Sequence, residues 1–369
     1  MRFTHYLLKM MFALLLGSFS IVFFRYMLTS PNIIPSSKSV SLTPLVSPIF
    51  FPPVHTNSSH TAKETTTIST QHKGVVTASV TDQGNSSAPS PSGNISLDTS
   101  ASILRAALVN IICYVPIGSG LHSISGSGVI IDPKGIILTN AHVAQYFLLA
   151  NRGVSCIIRS GSPATDSYNA ALIFISPAWI NANAGLLTET APSGTGQYDF
   201  ALLAITKSAT LAALPSSFHF IPLATKPLLA GTPIVIASYG AQFLEPSQVQ
   251  SSLFPTVVFG SVKNVFTFAT STIDVLALGG SVAAQEGSSG GGVANASGEL
   301  AGTITTSTIS GDTSSRELSA ITESYIRADY AMETGRTLNS LLAEPVAISI
   351  TNFATNISTL EAILVAHMP

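Results

Sequence analysis

The chain has 369 residues, 46% of them apolar and only 9% charged, with a formal net charge of -2. No run of Lys or Arg supplies the positive footprint that phosphate neutralisation requires, which excludes nucleic acid as a partner. Its two cysteines, Cys113 and Cys156, are too far apart for a CxxC metal or redox motif and too few for a disulfide-dense scaffold.

Residues 10–24 (MMFALLLGSFSIVFF) carry no charge, and the stretch extends over 6–28 if Lys9 and Arg25 snorkel towards headgroups. Residues 1–28 are therefore expected to be a signal anchor that spans a membrane. A cleaved signal peptide is the rival, but the A-x-A cleavage pattern is missing and Arg25, Tyr26 and Met27 follow the apolar run. Arg2 and Lys9 precede the stretch, so the positive-inside rule favours a cytoplasmic N-terminus and an extracytoplasmic remainder. Residues 29–100 are rich in Ser, Thr and Pro without a period of 2 or 3.6, as in TAKETTTISTQ and NSSAPSPSGN. Such a segment buries too little apolar surface to fold and is expected to be a disordered tether.

From residue 103 the texture becomes short β-rich runs separated by Gly, Pro, Asn and Asp, the spacing of an all-β sandwich or barrel. Asp132-Pro133-Lys134-Gly135 joins two of these runs as a hairpin, with Pro preset for the first corner of the turn. The folded domain is placed at residues 101–310 and a helical extension at 311–369. In the extension, apolar residues recur at helical spacing over 323–342, where Gly335 weakens the pattern, and a short helix is expected over 358–367.

Three positions stand out chemically. His142 lies at the end of a β-rich run (LTNAHV), where a rigid strand would present an imidazole to a cleft. Asp199 opens the apolar run YDFALL, where an unpaired carboxylate would be costly to desolvate; an imidazole N–H is its natural partner, a strand-end cap the plainer alternative. Ser289 sits in GSSGGG, whose glycines allow a tight turn with amide N–H groups around the hydroxyl. A serine attacks a carbonyl only with a base to take its proton and donors to stabilise the oxyanion. Candidates for all of these are present: Ser289 as nucleophile, His142 as base, Asp199 as its orienter, and the amides of Gly287 and Ser289 as oxyanion hole.

Together SGSGVIIDPKGIILTNAHV, YDFALL and GSSGGGVANASGELAGT resemble the trypsin-like serine peptidases, particularly the bacterial Deg/HtrA branch, from about residue 125 to 306. The resemblance implies two six-stranded antiparallel β-barrels with the site in the cleft between them, an endopeptidase activity on polypeptides, and no cofactor or metal. Ser288 stands where trypsin has the Asp that pairs with a newly cut N-terminus, which excludes that activation. Ala283 falls at the base of the specificity pocket and implies a preference for small or apolar side chains. The stretch after residue 306 is too short for a complete PDZ domain. A bridge between Cys113 and Cys156 would suit an exported domain, and self-association stays open. Two rivals remain: a G-x-S-x-G elbow of α/β-hydrolases at 287–291, with Asp312 or Asp329 and His367 downstream, and a non-catalytic binding module on the peptidase fold.

Overall fold

The computed structural model describes residues 43–44, 95–189, 194–269, 271–307 and 311–368. The expected anchor and nearly all of the expected tether lie outside them. The strands, in chain order, are β1 (Thr43–Pro44), β2 (Leu108–Tyr114), β3 (Ile124–Asp132), β4 (Ile136–Thr139), β5 (Ser155–Gly161), β6 (Ala164–Ile175), β7 (Ala201–Ser208), β8 (Pro233–Ser238), β9 (Thr256–Ser261), β10 (Asn264–Thr267), β11 (Val275–Ala277), β12 (Gly292–Ala294), β13 (Leu300–Ser307) and β14 (Leu318–Thr322).

Strands β2 to β7 close an antiparallel barrel in the order β2-β3-β4-β7-β6-β5. The turn between β3 and β4 is the one written in the sequence: Gly135 N–H donates to Asp132 O at 2.9 Å with φ of +85°, a conformation glycine adopts without penalty. Barrel closure brings Cys113 of β2 directly opposite Cys156 of β5, and the two form a disulfide. A crosslink over 43 residues of sequence should stabilise by about 2–4 kcal/mol, mostly by restricting the unfolded chain. Reduction, or the double change Cys113→Ala/Cys156→Ala, is accordingly expected to lower the urea midpoint and, as the unfolded chain then expands, to steepen the slope. An unmoved midpoint would mean that the bond does not form.

The second sheet differs from the expected closed six-stranded barrel. Its order is β1-β10-β11-β14-β13-β12-β8-β9, so β9 and β10 lie at opposite ends of the ladder from β11 to β8, although only Val262 and Lys263 separate them in sequence. The bend at those two residues is the cause. Val262 N–H donates to Thr232 O on the β8 side, while Lys263 N–H donates to Ala277 O of β11. One kinked strand thus serves both edges. The sheet's own core, Ile234, Ile236, Val262, Val265, Leu276, Val293, Ile304 and Leu318, is separate from the larger core centred on the barrel.

The helices depart from expectation at both ends. Helix α1 (Leu97–Ala107) begins inside the stretch expected to be tether. Ser96 caps it, accepting from Thr99 N–H at 3.1 Å, and Leu104 is fully buried. Short helices follow at α2 (Ala141–Ala144), α3 (Pro177–Asn183) and α4 (Pro246–Ser251). The helical pattern over 323–342 is two helices, α5 (Glu323–Thr334) and α6 (Leu338–Ala343), because Gly335 at φ of 68° ends the first. The expected short helix at 358–367 is the second half of the longer α7 (Val346–Val365). That helix is long and apolar enough to cross a membrane by length and composition. Here Phe353, Leu360 and Leu364 are buried, and Thr351, Asn352, Thr355, Asn356 and Thr359 face solvent, the division of a helix packed on a protein surface.

Candidate active site

His142 does not sit on a strand. Strand β4 ends at Thr139, and the imidazole is carried on the single turn of α2 that follows. Asp199 lies in the turn just before β7, next in the ladder to β4, so strand pairing brings acid and imidazole together across 57 residues. His142 Nδ1 lies 2.7 Å from Asp199 Oδ2, and the backbone N–H of His142 donates to Oδ1 at 2.9 Å. A carboxylate can only accept, so the imidazole proton sits on Nδ1 and Nε2 carries the lone pair.

Two residues missed in the sequence complete the environment of the acid. Thr305 Oγ1 donates to Asp199 Oδ2 at 2.7 Å from β13 of the second sheet, and Asn140 Nδ2 donates to the Asp199 carbonyl at 2.8 Å. Asp199 is 4% exposed, and three donors on its two oxygens offset the cost of that burial. Burial pulls the His142 pKa down, but the charge of Asp199 and its hydrogen bond outweigh this and raise it above the ordinary 6.5. The plainer reading of Asp199 as a strand-end cap is thereby replaced by a buried acid–imidazole pair.

The acid is held on a strained stretch of backbone. Tyr198, immediately before it, has φ of 62°, the only non-glycine positive φ among the described residues. For a bulky side chain this costs on the order of 1–3 kcal/mol, which the surrounding contacts must supply.

Ser289 is placed by the first barrel. Ser127 of β3 donates its N–H to Ser289 O at 2.7 Å and its Oγ to Gly287 O at 2.7 Å, and it accepts from Tyr239 N–H at 2.8 Å. A Cβ on Gly290 would overlap Ser127 O and Thr139 Oγ1, so the residue after Ser289 must be glycine for the loop to approach β4. Thr139 is three residues before His142. Ser289 is therefore carried to the same end of the barrel as the imidazole. Among the described hydrogen bonds, none joins Ser289 Oγ to His142.

The amides around the serine divide into two groups. Ser288 N–H donates to Gln285 O, Gly290 N–H to Ile304 O and Gly291 N–H to Ser288 O, whereas those of Gly287 and Ser289 donate to no group among the described hydrogen bonds. Gly287 has φ of +90°, and a Cβ there would come within 2.6 Å of Tyr239 O. Two free donors beside a serine hydroxyl are the arrangement that a developing oxyanion needs.

Two sequence expectations are corrected here. The loop bearing Ser289 continues into β12 and the β12–β13 hairpin, not into a helix, so the α/β-hydrolase elbow with Asp312, Asp329 or His367 is ruled out. Ala283 is fully buried in the core of the second sheet and lines no solvent-open surface. Among the described residues no group of three or more His, Cys, Asp or Glu is placed to hold a metal ion.

Residues 126–302 match the family described as Trypsin-like peptidase domain. No curated protein matches the chain. Among solved structures, the active form of the Rv3671c protease from M. tuberculosis is similar with 16% identity, covering 70% of this chain and 96% of that one at a TM-score of 0.41. The serine endoprotease from Yersinia pestis is similar with 21% identity, covering 68% of this chain and 70% of that one, also at 0.41.

Proposed function

We propose that this chain, which carries a trypsin-like peptidase domain at residues 126–302, is a serine endopeptidase with Ser289 as nucleophile, His142 as general base and Asp199 as the acid that orients it. The observation that supports this reading best is the buried Asp199–His142 pair, with its imidazole proton fixed on Nδ1, beside a serine loop whose Gly287 and Ser289 amides are free. In the proposed reaction His142 Nε2 takes the proton of Ser289 Oγ as the oxygen attacks the substrate carbonyl carbon. The two amides stabilise the oxyanion, and the imidazolium, held by Asp199, returns its proton to the leaving amine. Water then enters by the same route in reverse and releases the acyl group from Ser289.

We place the activity outside the cytoplasm, anchored through residues 1–28 and tethered through a segment that ends before α1, with the peptidase domain and the helices after residue 311 beyond it. The Cys113–Cys156 bond suits an oxidising compartment. Exported polypeptides are the expected substrates.

The test is fluorophosphonate labelling of the full-length chain together with casein digestion. Labelling with digestion is the expected outcome. A folded chain that neither labels nor digests would be a binding module built on a peptidase fold.

A further inference from the structure

Helix α5 starts directly after β14 and sends Tyr325 back towards the acid. Tyr325 Oη accepts a hydrogen bond from the N–H of Tyr198 at 3.0 Å. Tyr198 is the residue whose backbone is strained, and Asp199 is the next residue along. The remaining amides of this turn have partners of their own: Gln197 N–H donates to Thr195 Oγ1, Asp199 N–H to Gly196 O and Phe200 N–H to Tyr198 O. The Tyr198 amide thus depends on a side chain from another element, 127 residues away.

Tyr325 is itself held in place. Its N–H is capped by Thr322 Oγ1 at 3.1 Å, and its ring packs edge-on against Phe268 with centroids 5.1 Å apart. The ionisable groups facing its hydroxyl are Asp329 on its own helix, Tyr198 across the turn and Asp274 ahead of β11. Burial first, and then the charge of Asp329, push the hydroxyl well above its ordinary range, so Oη is a neutral acceptor throughout the working pH range.

We propose that Tyr325 is a positioning residue for the acid of the triad: its hydroxyl oxygen holds the strained Tyr198 peptide and so keeps the Asp199 carboxylate aimed at His142. The inference rests on the triad reading above. It assigns the helical segment after β14 a part in the chemistry, at a point where a small misplacement costs on the order of 10²-fold in rate.

The test is Tyr325→Phe in the full-length chain, assayed on a fluorogenic peptide across pH. The expected result is a fall in kcat of about 10- to 100-fold with KM within about twofold. The acid limb of the profile should also move to lower pH, because Asp199 is what raises the His142 pKa. A purely structural role for Tyr325 would lower Tm and leave kcat per folded molecule and the limb unchanged.

Tyr198→Gly supplies the second arm, since glycine adopts positive φ freely. In that background the added change Tyr325→Phe should cost less than about threefold, as the strain it restrains is gone. If Tyr325→Phe alone does not fold, the double variant against Tyr198→Gly decides the matter. A full-sized loss there overturns the proposal. An unlabelled, inactive wild type would sink the triad reading instead, whereas an active wild type with an equally active Tyr325→Phe sinks this inference alone.

Discussion

Ser289→Ala is expected to remove peptide hydrolysis by roughly 10⁶-fold in kcat while leaving Tm within a degree or two of wild type. The size follows from the role: without the hydroxyl no acyl-enzyme forms, and the imidazole and the two amides have no covalent step left to assist. Stability should hold because the loop is fixed by its backbone. Ser127 bonds the Ser289 carbonyl and the Gly287 carbonyl, neither of which the substitution touches. Fluorophosphonate labelling must vanish with the activity. A Ser289→Ala protein that still labels and digests would place the nucleophile elsewhere.

Asp199→Asn should cost about 10⁴-fold in kcat and change the pH profile in a defined direction. An amide offers Nδ1 either a donor or an acceptor, so the imidazole loses its fixed tautomer. The sign for His142 is set by the two opposing effects on it. Burial lowers its pKa and Asp199 raises it, with the net above 6.5, so wild-type kcat/KM should rise through a midpoint above that value as the base becomes neutral. Removing the charge leaves burial alone, and the midpoint of the residual activity should fall. A midpoint that stays in place would mean that the limb reports another group. The same pair bears on stability. A histidine whose pKa is raised by folding contributes stability fully present below its unfolded value, and that contribution is lost as pH rises through the folded one.

The parts of this arrangement legible in the sequence were those written locally. Asp132-Pro133-Lys134-Gly135 fixes its hairpin with neighbouring residues, GSSGGG reads as a tight turn because only glycine tolerates the approach at Gly290, and Gly335 marks a helix end. The acid and the imidazole could be paired because a carboxylate opening so apolar a strand needed a donor.

Thr305, Ser127 and Tyr325 were not legible, and for a common reason. Each acts across 100 residues or more, through a register between elements that no local period encodes: Thr305 on Asp199 over 106, Tyr325 on Tyr198 over 127, Ser127 on Gly287 over 160. A threonine in a strand and a tyrosine in the first turn of a helix look ordinary where they stand. The kinked strand β9–β10 escaped for a related reason, since Val262 and Lys263 are unremarkable as a dipeptide and turn only because their amides answer to opposite edges. Helix α1 was hidden by its setting, a capped helix opening at the margin of a Ser/Thr-rich stretch.

Ser127 belongs to the barrel, while the carbonyls it grips belong to the loop ahead of β12 in the second sheet. The larger apolar cluster runs from the barrel into the second sheet through Val235, Ala237, Ala294, Leu300 and Ile321, so the two halves share filling as well as these bonds. Parting the serine from the imidazole would open that shared core, so activity and the circular dichroism of the strands are expected to fade together on heating.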